Sequence, residues 1–144
     1  MTIAALDLGR RRIGVAVTDA AAMAAHPIGI VERRAFKHDL DAIAAMLRYR
    51  QVSTIVVGLP LNMDGSEGPA ARGAKKFAER LADGLGVKVE MFDERLTSFE
   101  ARERLAEMPA PKGTRKTGLD ALAAVVILEG WMQANPDRVP RTRS

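Results

Sequence analysis

The stretch TIAALDLGRRRIGVAVT, residues 2–18, decides the fold. Thr2 to Leu8 is a short apolar run, Ile13 to Thr18 alternates, and Gly9 to Arg12 has turn composition, so this spacing predicts a hairpin. Working outward, Ile28 to Arg33 reads as a third strand, and Asp39 to Tyr49 carries Leu40, Ile43, Ala44 and Leu47 at helical spacing. TIVVGL, residues 54–59, is a continuous β-branched run, the pattern of a central strand buried on both faces. The loop Pro60 to Pro69 leads into a helix to about Asp83, with Ala74, Phe77, Ala78 and Leu81 on one side. Val87 to Phe92 reads as a further strand, Thr97 or Ser98 as the cap of a helix to about Glu107, and Gly118 to Gln133 as a strongly apolar last helix. Three hairpin-type strands followed by alternating helices and strands imply an α/β fold, a mixed sheet with helices on both faces.

That element order fits a ribonuclease H-like architecture, and the length of 144 residues fits one domain. We expect the domain to cover residues 1–134, with 135–144 a flexible basic tail. Hydrophobic residues make up 47%, but no run approaches the roughly 18 apolar residues of a membrane span. Met1 leads straight into a strand-like segment, so a soluble, cytoplasmic protein is expected. With no cysteine, disulfides, thiolate zinc sites and cysteine nucleophiles are excluded together. Any metal must be held by oxygen or by His26 and His38, both isolated and read as structural or surface residues. The net charge of +4 suits a polyanionic partner. Its location says more: Arg10 to Arg12, then Lys112, Arg115 and Lys116, then Arg138, Arg141 and Arg143 cluster in expected turns, loops and tail. Aromatic residues at 4% argue against a base-stacking platform, which leaves phosphate contact.

Asp7 stands near the end of the first strand, just before Gly9, where a carboxylate can project from the sheet edge; the alternative is a turn-forming Asp. Asp93 and Glu94 follow a strand directly, so one should point into the crevice outside the carboxyl ends of the strands, unless both are solvated loop charges. Asp120 sits in the first turn of the last helix, where complementing the helix dipole is the plainer role. Three converging acids repel one another unless a cation joins them. Hard oxygen ligands favour Mg²⁺ or Mn²⁺, and two such ions about 4 Å apart can activate a water and stabilise a phosphodiester's leaving oxygen. Helical spacing puts Ala123, Ala124 and Ile127 on the Asp120 side of its helix, so Asp7 and Asp120 are expected about 4–7 Å apart, in shared metal range. The loop from Gly58 to Gly68 offers backbone amides and Asn62 to a phosphate but lacks the Gly-Lys-Ser/Thr ending of nucleotide triphosphatases.

Four ordered motifs, LDLG (6–9) with RIGVAV (12–17), VVGLPLNMDG (56–65), FDERLT (92–97) and DALAA (120–124), resemble the YqgF family, also called RuvX. The resemblance runs from about Ile3 to Gln133. It implies a ribonuclease H-like fold related to the Holliday-junction resolvase RuvC. It also implies a cytoplasmic nuclease of ribosome biogenesis maturing the 5′ end of pre-16S ribosomal RNA. The matching acids are Asp7, the Asp93–Glu94 pair and Asp120. The central strand ends in Gly58-Leu59-Pro60 where the related resolvase places an acid, so the Asp93–Glu94 pair must substitute for it. Glu94 is taken as the ligand with Asp93 in reserve, Asp93 alternatively orienting Arg95. Nucleic-acid contacts are assigned to Arg10, Arg12, Asn62, Arg95, Lys112, Arg115 and Lys116, the last three on a loop beside the site. The partners are pre-16S RNA, structured DNA as an alternative, and a ribosomal precursor particle, with monomer and homodimer both open. Three competing readings stand: a dimeric DNA junction resolvase, a non-catalytic RNA-binding module, and a sugar-kinase or actin-like phosphotransferase, for which one lobe is too little.

Overall fold

The computed structural model describes residues 2–19, 24–97, 103 and 115–139, the first six of the last stretch through their helical backbone. Its strands are β1 (Thr2–Leu8), β2 (Arg12–Thr18), β3 (Ala25–Glu32), β4 (Val52–Leu59) and β5 (Lys88–Asp93). Its helices are α1 (Phe36–Leu47), α2 (Pro69–Leu85) and α3 (Arg115–Ala134). The strands form one sheet in the order β3-β2-β1-β4-β5. β1, β2 and β3 run antiparallel in sequence, while β4 pairs parallel to β1 and β5 parallel to β4. The expected mixed sheet is therefore present, with the carboxyl ends of β1, β4 and β5 along one edge.

Strand alternation divides the core into two layers. Ala4, Leu6, Ile13, Val15, Val17, Ile55 and Val57 pack with Ile43 and Leu47 of α1 and with Phe77, Ala78 and Leu81 of α2. Ile3, Ala5, Ala16, Val56 and Phe92 pack on the other face with Ala124, Ile127, Leu128 and Trp131 of α3. TIVVGL is buried on both faces, and each fully buried Ile or Val contributes about 1.5–3 kcal/mol. Ala5, Ala16 and Ala124 meet where α3 crosses the sheet, so the helix lies close to it.

Several boundaries differ from expectation, and three of them bear on the readings above. β3 begins at Ala25 rather than Ile28, because Pro27 is tolerated on an edge strand and pairs with Ala16 across a bulge. α3 begins at Arg115, which puts Arg115 and Lys116 in a helical first turn and not on a loop. The stretch expected to fray after Ala134 stays with the fold to Val139: Pro136–Arg138 forms a 3₁₀ turn and Val139 is buried against the α3 layer. Arg138 is pinned by a bidentate pair with Glu90 and lies 5.1 Å over the Trp131 ring. The helix expected from Thr97 to Glu107 lies outside the described residues apart from Thr97 and a helical Glu103, as does the tail beyond Val139. Among the described residues no helix is long and apolar enough to cross a membrane.

Candidate active site

The site is built at the carboxyl edge of β1, β4 and β5, on the face covered by α3. Asp7 is half-buried and shares strand parity with Ile3 and Ala5, which face α3, whereas Ala4 and Leu6 face away. Gly58 shares parity with Val56 and pairs with Phe92 of β5. Leu6 pairs with Val57, so the next position along β1, Asp7, is level with Gly58.

Immediately after β5 the chain makes a 3₁₀ turn, Glu94–Leu96. Asp93 caps it by accepting the Arg95 backbone N–H at 2.9 Å. Thr97 closes it, its backbone N–H and its hydroxyl both donating to the Glu94 carbonyl, at 3.2 and 2.7 Å. The turn folds the half-buried Glu94 side chain back over β4. A Cβ on Gly58 would stand 3.1 Å from both Cγ and Cδ of Glu94 and 2.7 Å from Cδ1 of Ile127. The Glu94 side chain therefore lies over the bare backbone of Gly58, beside α3, in the space a larger residue on β4 would fill. Asp7 and Glu94 are thus on one face and at one edge, with Gly58 between their strands.

Asp93 is held differently. Arg95 Nε donates to both its oxygens at 3.1 Å and Nη2 to Oδ2 at 2.8 Å. These bonds hold the Asp93 carboxyl below the usual carboxylate range and keep Arg95 charged. Arg95 Nη1 reaches on to the Met63 carbonyl at 3.2 Å, latching the β4–α2 loop to the turn. Asp93 thus orients Arg95, the alternative role the sequence allowed, and Arg95 uses two side-chain nitrogens on Asp93 and the third on the loop.

Asn62 is a loop-building residue. Its backbone N–H donates to the Ser66 carbonyl at 2.9 Å, its carbonyl accepts from Gly65 at 2.8 Å, and its amide donates to Ser66 Oγ at 2.9 Å. Arg12 is drawn into a cross-strand pair with Glu32 at 3.2 Å, while Arg10 is exposed on the β1–β2 turn. His26 pairs with Asp19 at the opposite end of the sheet, and His38 contacts Asp39 at 3.0 Å; neither lies with Asp7. Asp120 stands on the backbone of α3 seven residues before Ile127, about two turns nearer the helix N-terminus. Its side chain, and with it the expected 4–7 Å approach to Asp7, lies outside the described residues, as do the side chains of Lys112, Arg115 and Lys116. Among the described residues no three His, Asp or Glu side chains form a metal-sized cluster. Asp7 and Glu94 nonetheless offer hard carboxylate oxygens of the kind that suit Mg²⁺ or Mn²⁺. The feature invisible to sequence reasoning was Gly58 as a seat for Glu94; its only signal was the missing acid at the end of the central strand.

A model of the RuvX family, described as Holliday junction resolvase, matches residues 1–134. A protein of Anaeromyxobacter sp. (strain Fw109-5) named "Putative pre-16S rRNA nuclease" is 54% identical over 127 residues, 88% of this chain and 93% of its own. One of the same name from Synechococcus sp. is 41% identical over 140 residues, 96% of this chain and 94% of its own. The structure of T. thermophilus RuvC in complex with Holliday junction substrate superposes with a TM-score of 0.61 at 15% identity, covering 94% of this chain and 96% of that one. The fowlpox virus Holliday junction resolvase does so with a TM-score of 0.54 at 13% identity, covering 93% and 99%. At these identities the two structures bear on the fold alone.

Proposed function

The chain belongs to the RuvX family, and from that premise we propose that it is a divalent-metal-dependent nuclease. Its phosphodiester substrate is RNA, its task the maturation of the 5′ end of pre-16S ribosomal RNA, and its place the cytoplasm, on a ribosomal precursor. One observation carries the reading: the Glu94 side chain is folded over Gly58 on the face and at the edge that present Asp7. Asp7, Glu94 and Asp120 are the proposed ligands. Mg²⁺ or Mn²⁺ held by these oxygens would supply the positive charge that lowers the pKa of an attacking water and stabilises the leaving oxygen, in two-ion fashion.

The chain's own residues fix where that chemistry occurs. Strand β1 fixes the backbone of Asp7, and the Asp93 and Thr97 caps fix the backbone of the Glu94 turn, so both side chains start from set positions. The Arg95 latch ties the β4–α2 loop to the turn that carries Glu94. Exposed Arg10 and the basic start of α3 are the proposed phosphate contacts. The family description favours a second reading, a DNA junction resolvase, which would need a dimer to cut two strands symmetrically. The deciding experiment offers a pre-16S fragment and a four-way DNA junction in parallel, with Mg²⁺, Mn²⁺ or EDTA. The RNA should be cut only with metal, and Asp7→Asn, which removes a charge without changing volume, should abolish cutting while leaving the thermal transition in place. Cleavage in EDTA, or an Asp7→Asn protein as fast as wild type, sinks the assignment.

A further inference from the structure

On the face of the sheet opposite Asp7, the connection from β3 to α1 and the middle of α2 enclose an open cleft of about 230 Å³. Arg33, Arg34, Lys76 and Arg80 line it, with Asp39 and Gly73. Four cations thus share the space with one carboxylate. Among the described residues none of the four forms an ion pair. Asp39 is almost wholly buried, accepting the Arg34 backbone N–H at 2.9 Å and touching His38 Nδ1 at 3.0 Å, so it braces the connection from below.

A surface run of charge is ordinarily a solvated face, and two observations set this one apart. First, the guanidinium groups are held in place. That of Arg80 lies 3.9 Å over the Phe36 ring, and that of Arg33 lies 5.6 Å over Phe77 while its Nη1 donates to the Gly9 carbonyl at 2.7 Å. Stacking orients a guanidinium and leaves its edge donors directed outward, the form in which arginine recognises phosphate. Second, Gly73 stands inside α2, where glycine costs about 1 kcal/mol relative to alanine. A Cβ there would meet nothing within 4 Å, so packing does not require the glycine. Its absence of a side chain leaves the helix wall of the cleft bare, as close approach of a ligand demands.

We propose that this cleft is a phosphate subsite for the same nucleic-acid strand that reaches Asp7 and Glu94, an inference that rests on the nuclease reading above. The path is short. Arg33 bonds the carbonyl of Gly9, two residues beyond Asp7, and its backbone N–H donates to the Arg11 carbonyl at 2.7 Å, so site and cleft flank the one turn that exposes Arg10 and Arg11. A strand leaving the acidic edge crosses that turn and sets a downstream phosphate among the four cations.

The test uses the full chain in EDTA. Backbone amide spectra are recorded with inorganic phosphate and, separately, with a single-stranded RNA, against chloride. RNA affinity is measured across salt for wild type, for Arg34→Ala with Lys76→Ala, and for Gly73→Leu, which fills the cleft with a good helix former. The amides of Arg34, Gly73 and Lys76 should shift with both ligands. Both variants should bind RNA about tenfold more weakly, the double variant with a salt slope smaller by about 0.7, the value of one phosphate contact on a single strand. Gly73→Leu should do so without lowering the melting temperature. Phosphate shifts with unchanged RNA affinity and slope in both variants would overturn the strand subsite, as would no shifts at all. Wild-type cleavage with metal is scored in parallel: RNA cut normally while the variants bind like wild type removes only this inference. Failure of wild type to bind or cut any RNA removes the nuclease reading and the subsite with it.

Discussion

Adding one methyl group at residue 58 separates the seat of Glu94 from the stability of the sheet. In Gly58→Ala the new carbon would stand 2.7 Å from Ile127 Cδ1 and 3.1 Å from Cγ and Cδ of Glu94. The first contact is with the end of a side chain that can rotate away, so the fold should lose about 1 kcal/mol, the low end of the 1–3 kcal/mol typical of overpacking. The second is a few tenths of an ångström inside ordinary contact and drives the carboxylate off its position over β4. Since a misplacement of about 1 Å can cost about 100-fold in rate, a shift of this size should cost about tenfold. The assay compares thermal unfolding and metal-dependent RNA cleavage for Gly58→Ala, Ile127→Val and the double variant. Ile127→Val alone should lose about 0.5–1.5 kcal/mol and keep its rate. In the double variant the shorter side chain makes room for the methyl, so stability should recover relative to the additive sum while cleavage stays slow. Wild-type cleavage by Gly58→Ala would refute the argument, and so would a double variant that regains full rate, because Ile127 and not Glu94 would then be what the methyl disturbs.

The two acids at the end of β5 should behave differently. Glu94→Gln should lose on the order of 100-fold in cleavage, whereas Asp93→Asn should loosen the Arg95 latch and cost less; the reverse order would make Asp93 the ligand. The Glu90–Arg138 pair predicts an acid limb in stability. Hydrogen bonding from Arg138 lowers the Glu90 pKa from 4.5 to about 2, so the native state favours the ionised form. That contribution is complete above pH 4.5 and disappears as pH falls toward about 2. In Arg138→Ala the melting temperature should change less across that window than in wild type, and an identical acid limb in both proteins would place the effect elsewhere.

The sheet was legible because TIVVGL is a β-branched run of strand length and the hairpin TIAALDLGRRRIGVAVT sets two short apolar runs either side of a turn. The ends of elements were harder for identifiable reasons. Pro27 hides the start of β3, since a proline reads as a strand break unless the strand is known to be an edge. Arg115, Lys116 and Thr117 carry no apolar periodicity, and Gly118 resembles a breaker, so the first turn of α3 looks like loop. The basic tail hides its anchors because the partner of Arg138, Glu90, is far away in sequence.

The candidate acids were legible as positions but not as geometry. The strand read from the sequence stops at Phe92, so alternation could not distinguish Asp93 from Glu94; in the structure Asp93 binds the backbone N–H and the side chain of Arg95, while the Glu94 side chain lies over Gly58. The turn begins on β5, and the Glu94 side chain crosses the strand spacing of about 4.8 Å to lie over β4. An acid borne directly by β4 would need a Cβ at residue 58, in the space that the Glu94 side chain and the end of Ile127 occupy. Glycine on β4 and the folded side chain after β5 therefore share one space, and a side chain on residue 58 would have to displace Glu94 to enter it.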